Sequence, residues 1–133
     1  MAAPNIPDDL YTYLTSTLGL SDVVLYRLNP TPINQYAIVE YPGPGNTHIH
    51  GGESLGDVAF DESVLQIQSR HTSPETARDN LKTVYDSLDG LMDTTINSRV
   101  YTYITAISRV RLLDVQEDGS AIFIFEIRVQ ARR

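Results

Sequence analysis

Two alternating histidines are the residues best suited to chemistry in this chain. His48 and His50 lie two positions apart, so their side chains would share one face of a strand, as metal-ligating histidines often do. A third ligand could come from His71, Glu53 or Asp57. However, His48 and His50 stand among glycines, with no acidic partner at a motif spacing. We therefore favour a loop over a metal centre, and keep the three histidines only as candidate ligands.

Other residue sets that could support catalysis are incomplete. Gly43-Pro44-Gly45 and Gly51-Gly52 lack the lysine of a phosphate-binding loop, and neither opens a helix after a strand. Asp57, Asp61 and Glu62 could form a glycosidase-like carboxylate pair. Acids beside a loop are more often solvated surface. We predict that the protein is not an enzyme and needs no cofactor.

Size and composition place the chain among ordinary globular domains. Its 133 residues suit one domain, and the absence of cysteine excludes disulfides, thiol catalysis and thiolate metal sites. No apolar run approaches the roughly 20 residues that a membrane-spanning helix needs. The first residues lack the basic and apolar runs of a secretory signal, so we expect none.

The net charge of −7 lies entirely in the first half of the chain. Residues 1–62 hold eight acids and one base, Arg27, which gives −7, whereas residues 63–133 hold nine acids and nine bases. A protein that grips nucleic acid by its phosphates needs the opposite sign. Tight DNA binding is therefore not expected, although DNA could slide past such a surface without adhering.

Hydrophobic periodicity predicts one helix and two strands before a long loop. The helix begins near Pro7, which suits a first turn, and ends at Gly19. Strands follow at residues 23–28 and 35–41. Residues 42–57 then hold five glycines and two prolines, and we expect them to form a flexible loop.

The second half of the chain predicts a strand, a helix and a long hairpin. The strand covers residues 63–71, and Ser73 provides a helix N-cap. The apolar stripe of that helix comprises Ala77, Leu81, Val84, Tyr85, Leu88, Leu91 and Met92. One hairpin arm runs over residues 100–115, and the second runs over 121–131 after an Asp-Gly turn.

The returning arm of the hairpin has two different faces. Phe123, Phe125, Ile127 and Val129 form an apolar face, and the opposite face begins apolar and becomes charged. We expect that opposite face to be buried near the turn and exposed near the C-terminus. The fold class is thus α+β: a mostly antiparallel sheet with two main helices packed on it and a long C-terminal β-hairpin, in a single domain over residues 1–133.

This order of elements resembles the tail terminator proteins of long-tailed bacteriophages, a family also described as minor capsid or tail-to-head joining proteins. The passages that carry the resemblance are Leu65-Gln66-Ile67-Gln68-Ser69-Arg70, the helix of residues 73–91, and the closing strand of residues 123–129. The resemblance covers most of the chain as a pattern rather than as a sharp motif.

The resemblance implies an α/β sandwich that assembles as a hexameric ring. In the family, the ring caps the tail tube, stops its growth and then receives the DNA-filled head. The implied partners are further copies, the tail tube protein, a head-completion or connector protein, and DNA that passes without specific binding; no membrane is involved. The implied location is the head-proximal end of the tail in the virion, after assembly in the host cytoplasm.

Within that expectation, residues are assigned to three surfaces. The candidates for subunit contacts are Tyr101, Tyr103, Arg109, Arg111, Glu126 and Arg128. The expected mobile contact loop contains Gly43, Gly45, His48, His50, Gly51 and Gly52. The acidic candidates for the channel lining are Glu53, Asp57, Asp61 and Glu62.

Two other functions stay open at this point. A head-completion or connector protein of the same junction would also be small and rich in loops. A small enzyme or metal-binding domain would use His48, His50 and His71. The two junction proteins predict a ring or another oligomer, whereas the third predicts bound metal.

Overall fold

A single mixed sheet with two helices forms the body of the protein. The computed structural model describes residues 5–41, 47–50 and 59–132, and for residues 47–50 and 59 it describes the backbone alone. The helices are α1 (Ile6–Thr12), which continues into a π-helical turn (Tyr13–Thr17), and α2 (Pro74–Leu88). The strands are β1 (Val23–Leu25), β2 (Gln35–Glu40), β3 (Thr47–His50), β4 (Ala59–His71), β5 (Leu91–Ile96), β6 (Arg99–Ala106), β7 (Arg111–Val115) and β8 (Ala121–Arg132).

The described strands form one sheet in the order β1-β2-β4-β8-β6-β5. Strand β3 pairs beside β4, and β7 pairs beside β8. The β1–β2 pair is parallel, and every other described pair is antiparallel. The predicted fold class is confirmed, including the C-terminal hairpin that β7 and β8 form.

Both helices pack on the same face of the sheet. Leu10 and Leu14 of the first helical segment and Leu81 of α2 are fully buried in one apolar cluster with the inward side chains of β4 and β8. Tyr85 of α2 meets Phe125 edge to face, with ring centroids 5.2 Å apart. Such burial is the main favourable term in folding, so this core fixes the helices on the sheet.

The ends of both helices follow from the residues that predicted them. Ser73 is the N-cap of α2, and its hydroxyl accepts a hydrogen bond from the backbone N–H of Thr76 at 3.3 Å. The first helical segment stops where Gly19 takes φ +70°, a conformation that glycine adopts without strain. Asn5 caps α1 through a bond from the N–H of Asp8 at 3.3 Å.

The predicted stripe of α2 is right as far as Leu88 and wrong beyond it. Leu91 and Met92 belong to β5, and Met92 is 71% exposed. Gly90 turns the chain at φ +88°, and its N–H bonds to the carbonyl of Ile104. Asp89 holds the turn from the other side, since its Oδ1 accepts from the N–H of Ala106 at 2.8 Å. These bonds to β6 direct the chain into a strand.

The predicted hairpin arm over residues 100–115 is two strands. Residues 107–110 interrupt it, and β6 and β7 pair with different parts of β8. The interruption is bonded to β8: the N–H of Ile107 donates to the carbonyl of Glu126 at 2.9 Å. The hydroxyl of Ser108 accepts from the N–H of Glu126, also at 2.9 Å. These two bonds to Glu126 replace the regular ladder of hydrogen bonds at residues 107–110.

The remaining differences from the predicted elements are small. Strand β1 ends at Leu25 because Tyr26 takes φ +76°, which a strand cannot contain. Strand β4 begins at Ala59, earlier than predicted, and β3 forms inside the segment predicted as a loop. In β8, Ile124 is buried and Arg128 is exposed on the face opposite the core, which confirms the predicted change along that strand.

None of the helices in the described part of the chain has the length and apolar content to span a membrane.

Candidate functional site

Most of the predicted contact residues lie on the open face, which we define as the face of the sheet opposite α1 and α2. In β8 the open-face side chains alternate with the core residues Phe125, Ile127 and Val129. Cross-strand pairing puts Glu126 beside Gln66 on this face. The open face therefore carries polar side chains from several neighbouring strands.

One open-face cluster joins a predicted contact residue to a predicted channel residue. Tyr103 donates a hydrogen bond from its hydroxyl to Oε2 of Glu62. The guanidinium of Arg128 lies 3.8 Å from Oε1 of the same carboxylate. Burial, followed by the bond to Glu62, raises the pKa of Tyr103 to about 12. The charge of Glu62 is therefore balanced within the protomer, and its role as an acidic lining residue stays a prediction.

A second open-face cluster is centred on Glu126. Its Oε1 lies 2.6 Å from Arg111 of β7, and its Oε2 accepts from the hydroxyl of Tyr41 at 2.9 Å. Arg111 also donates to the hydroxyl of Ser108 at 2.8 Å, and Gln66 donates to the Tyr41 oxygen at 2.9 Å. Hydrogen bonding to Arg111 is the main cause that lowers the pKa of Glu126 to about 2.

The Glu126 cluster fixes the hairpin to the rest of the sheet. It joins β7, β8, the residue after β2 and, through the hydroxyl of Tyr41, β4, so four chain segments meet in one cluster. Arg111 and Glu126, predicted separately as contact residues, are in fact partners. Burial and the same carboxylate raise the pKa of Tyr41, because its ionisation would place a second negative charge beside Glu126.

The structure corrects the prediction that Tyr101 is a subunit contact, because this residue lies in the core rather than on a contact surface. Its side chain is fully buried, and its hydroxyl donates to Oδ2 of Asp9 in α1. Arg99 lies 3.2 Å from the same oxygen, and the amide of Asn97 donates to Oδ1 at 2.9 Å. Burial is the first cause that raises the pKa of Tyr101 above its ordinary value. This cluster fastens α1 to the β5–β6 turn.

Arg109 lies apart from both open-face clusters. It borders a surface cleft of about 600 Å³ beside α2, on the path between β6 and β7. The residues that line the cleft are Arg78, Lys82, Tyr85, Asp86, Arg109 and Val110. Asp86 also lines the cleft, and Arg78 is paired with Asp79 at 3.3 Å, so the cleft has a small positive charge that comes from Lys82 and Arg109.

The described residues contain no arrangement of ligands that supports the metal hypothesis. Among them, no three histidine or carboxylate side chains gather as a metal site would require. His71 instead accepts a hydrogen bond at Nδ1 from the N–H of Ser73 at 2.9 Å, next to the cap of α2. His48 and His50 are in β3, where the backbone alone is described.

Most of the predicted contact loop and two acids lie outside the described residues. These positions are Gly43, Gly45, Gly51, Gly52, Glu53 and Asp57. A Gly-x-Ser-x-Gly pattern, Gly52-Glu53-Ser54-Leu55-Gly56, falls in the same segment. In a hydrolase the serine of that pattern stands between a strand and a helix. Here the next described element is β4, which is a strand and begins at Ala59.

Sequence patterns missed several members of these clusters. Asp9 looks like a first-turn helix acid, and nothing in the sequence links it to Tyr101, which lies 92 positions away. Tyr41 and Glu126 are 85 positions apart. Arg78 and Lys82 are spaced as the exposed face of a helix, which indicates solvent rather than a cleft.

Comparison with known proteins identifies a family and solved chains of similar fold. The model of the bacteriophage tail terminator proteins matches residues 6–133, which is nearly the whole chain. None of the curated proteins matches the sequence. A chain from the structure "Virion of native gene transfer agent (GTA) particle" is similar in fold: the TM-score is 0.53 at 16% identity, over 95% of this chain and 90% of that chain.

These matches favour one of the functions that the sequence left open. At 16% identity the solved structure supports the fold alone, whereas the family model spans every described helix and strand. A structural family of the virion argues against a catalytic role and agrees with the polar, internally paired clusters of the open face. The chain belongs to the bacteriophage tail terminator family and is a structural protein of the phage tail.

Proposed function

We propose that this protein forms a ring of six copies on the head-proximal end of the phage tail tube, where it stops polymerisation of the tube and then provides the docking surface for the DNA-filled head. The observation that carries the proposal is the family match over residues 6–133. Its partners are further copies, the tail tube protein and a head-completion or connector protein. The protein assembles in the host cytoplasm and stays in the virion.

The distribution of charge supports a channel lining that DNA passes without adhering. Residues 1–62 carry a net charge of −7, and like charge repels the phosphate backbone. The proposed lining consists of Asp61 and Glu62 among the described residues, together with Glu53 and Asp57.

Five of the predicted contact residues remain candidates for contacts with other copies or with axial partners. Tyr103, Glu126 and Arg128 belong to the open face, and Arg109 and Arg111 lie where the chain enters β7. Arg111, Glu126 and Arg128 already have ion-pair partners within the protomer. A partner that displaced those bonds would need to replace them, so we expect contacts around the clusters rather than through them.

Removing the protein from phage-producing cells tests the proposal directly. Electron microscopy of the particles should then show tails longer than normal and without heads, and a plasmid copy should restore normal length. Tails of normal length beside heads that leak DNA would contradict the proposal and favour a head-completion role. Normal, infectious particles would exclude both roles.

The number of copies in the ring is tested by a separate measurement. Native mass spectrometry of the purified protein, alone and with isolated tail tubes, should give a six-copy species or a six-copy cap on the tube. A cap of another copy number would contradict the hexamer while leaving the capping role intact.

A further inference from the structure

One side of the helix layer is basic and apolar. We define the basic edge as the cleft cations Arg78, Lys82 and Arg109 together with the exposed side chains of β7. In β7, Leu112, Leu113 and Val115 are 52%, 51% and 55% exposed. Among the described strands, β8 is the one partner of β7, so the second edge of β7 is open. Exposed apolar edge strands are ready to pair with another chain.

The other side of the helix layer is acidic. We define the acidic edge as Asp8, Tyr11 and Glu40. Asp8 is exposed on α1, and Tyr11, one turn further, is 40% exposed. Glu40 lies on the helix-covered face at the end of β2, because it stands opposite Leu65 in the ladder.

The two edges point away from each other. The two helices touch where the Tyr13 hydroxyl and the Ser87 hydroxyl lie 3.0 Å apart. At about 100° per residue, Arg78 lies roughly 180° from Ser87 around α2, and Tyr11 lies roughly 160° from Tyr13 around the first helical segment. Both patches are therefore on the outer sides of the pair.

The sheet separates the edges in the same way. One row of cross-strand neighbours runs through Val23, Tyr36, Ser69, Phe123 and Leu112. Strand β1 is at one end of this row, beneath the first helical segment, and β7 is at the other end. A second copy beside the first would thus bring β7 towards the neighbour's first-helix side.

We propose that the basic edge of one copy docks on the acidic edge of the next copy, and that this contact closes the ring. The inference rests on the proposed ring function and assigns its subunit contact. Two different patches on opposite sides make a heterologous contact, which is the kind that generates rings. Charge complementarity selects orientation, and burial of the β7 side chains against Tyr11 supplies apolar contact.

A second copy fits the basic edge better than DNA or an unrelated protein. Arg78 is paired with Asp79, which leaves Lys82 and Arg109 as the cations that a partner would meet, and the chain's own first half supplies the matching negative charge. DNA would meet the cations but not the apolar strand beside them, because protein–DNA contacts are strongly polar.

Charge reversal on each edge tests the contact in phage-producing cells that lack the native copy. The basic-edge variant is Lys82→Glu with Arg109→Glu, and the acidic-edge variant is Asp8→Lys with Glu40→Lys. A matched control, Arg132→Glu, reverses an exposed base at the end of β8 on the face opposite the helices. Circular dichroism melts of each purified variant first establish that it folds.

Each reversed variant expressed alone should yield at least about tenfold fewer tails of normal length, because like charges then face each other at every contact. Expressing the two together should restore normal tails, since opposite charges meet again when the two kinds of copy alternate around an even-numbered ring. The control should behave like the native protein.

Two results would overturn the contact. Reversed variants that fold and cap tails normally would show that the ring closes elsewhere. Variants that fail alone and also fail together would show that the edges bind something other than each other. Both results differ from failure of the proposed function, in which removal of the native copy leaves tail length unchanged.

Discussion

Tyr101 and Tyr103 stand two residues apart on β6, yet they belong to different parts of the protein. Each tyrosine donates to a carboxylate that also has an arginine partner: Asp9 for Tyr101 and Glu62 for Tyr103. Alternate residues of a regular strand share a face. A register shift between these two tyrosines breaks that rule, so Tyr101 faces the helices and Tyr103 faces the open side.

The two triads show that burial, rather than residue type, sets the role of a polar cluster. The Asp9 side chain is 6% exposed, whereas that of Glu62 is 21% exposed and its partner Arg128 is 47% exposed. A buried carboxylate that loses its partners costs several kcal/mol, but an exposed ion pair contributes about 0–1 kcal/mol. The Asp9 triad therefore holds α1 in place, and the Glu62 triad leaves its residues available at the surface.

The largest effect in this comparison is expected when the buried carboxylate of Asp9 is removed. We expect Asp9→Ala to lower the free energy of unfolding by about 3–5 kcal/mol, because Tyr101, Arg99 and Asn97 lose their shared acceptor in a buried site. Urea denaturation followed by circular dichroism measures the change.

Asp8 supplies the matched control for that substitution. It is the neighbouring acid in the same helical turn, but it is exposed. Asp8→Ala should cost about 1 kcal/mol or less, through the lost interaction with the helix dipole. Equal losses for the two variants would mean that the Asp9 cluster contributes no more than its charge near the helix start.

Removing one hydroxyl at a time sharpens the comparison between the two tyrosines. Tyr101→Phe should lower the free energy of unfolding by about 1–3 kcal/mol, because a buried carboxylate loses a donor. Tyr103→Phe makes the same chemical change on the open face and should cost less than about 1 kcal/mol. The same urea titrations compare the pair, and a larger loss for Tyr103→Phe would reverse the assignment of the two faces.

Periodicity and turn chemistry were enough to predict most of the fold. The caps at Ser73 and Gly19, the stripe from Ala77 to Leu88 and the two-faced β8 follow from local rules that the structure obeys. Strand β5 was missed because its first residues continue the apolar spacing of α2. The bonds of Asp89 and Gly90 to β6, which end the helix, are tertiary contacts.

The clusters were harder to predict than the elements, since long-range pairing decides them. Both tyrosines of β6 were expected on one stripe, and the register shift that separates them has no local signal: Thr102 bonds to Gln130 on β8, 28 positions away. The Arg111–Glu126 pair needed the hairpin register, and the cleft around Arg109 needed the position of α2. The sequence shows which residue types are present, but it does not show which side chains lie beside each other in the folded protein.

The smallest expected effect is a pH dependence that separates the open-face Glu126 cluster from an unpaired surface acid. The folded-state pKa of Glu126 is lowered from 4.5 to about 2, so its contribution to stability is complete above about pH 4.5 and is lost as the pH falls towards 2. Glu126→Gln should therefore cost about 1–2 kcal/mol near neutral pH, and the gap from the native protein should close as the pH falls through this window. Urea titrations from pH 7 to 2.5 measure the gap. Glu117→Gln, which removes an exposed acid on the hairpin turn, is the control. A gap for Glu126→Gln that stays constant with pH would show that the pair with Arg111 does not depend on the charge of the carboxylate.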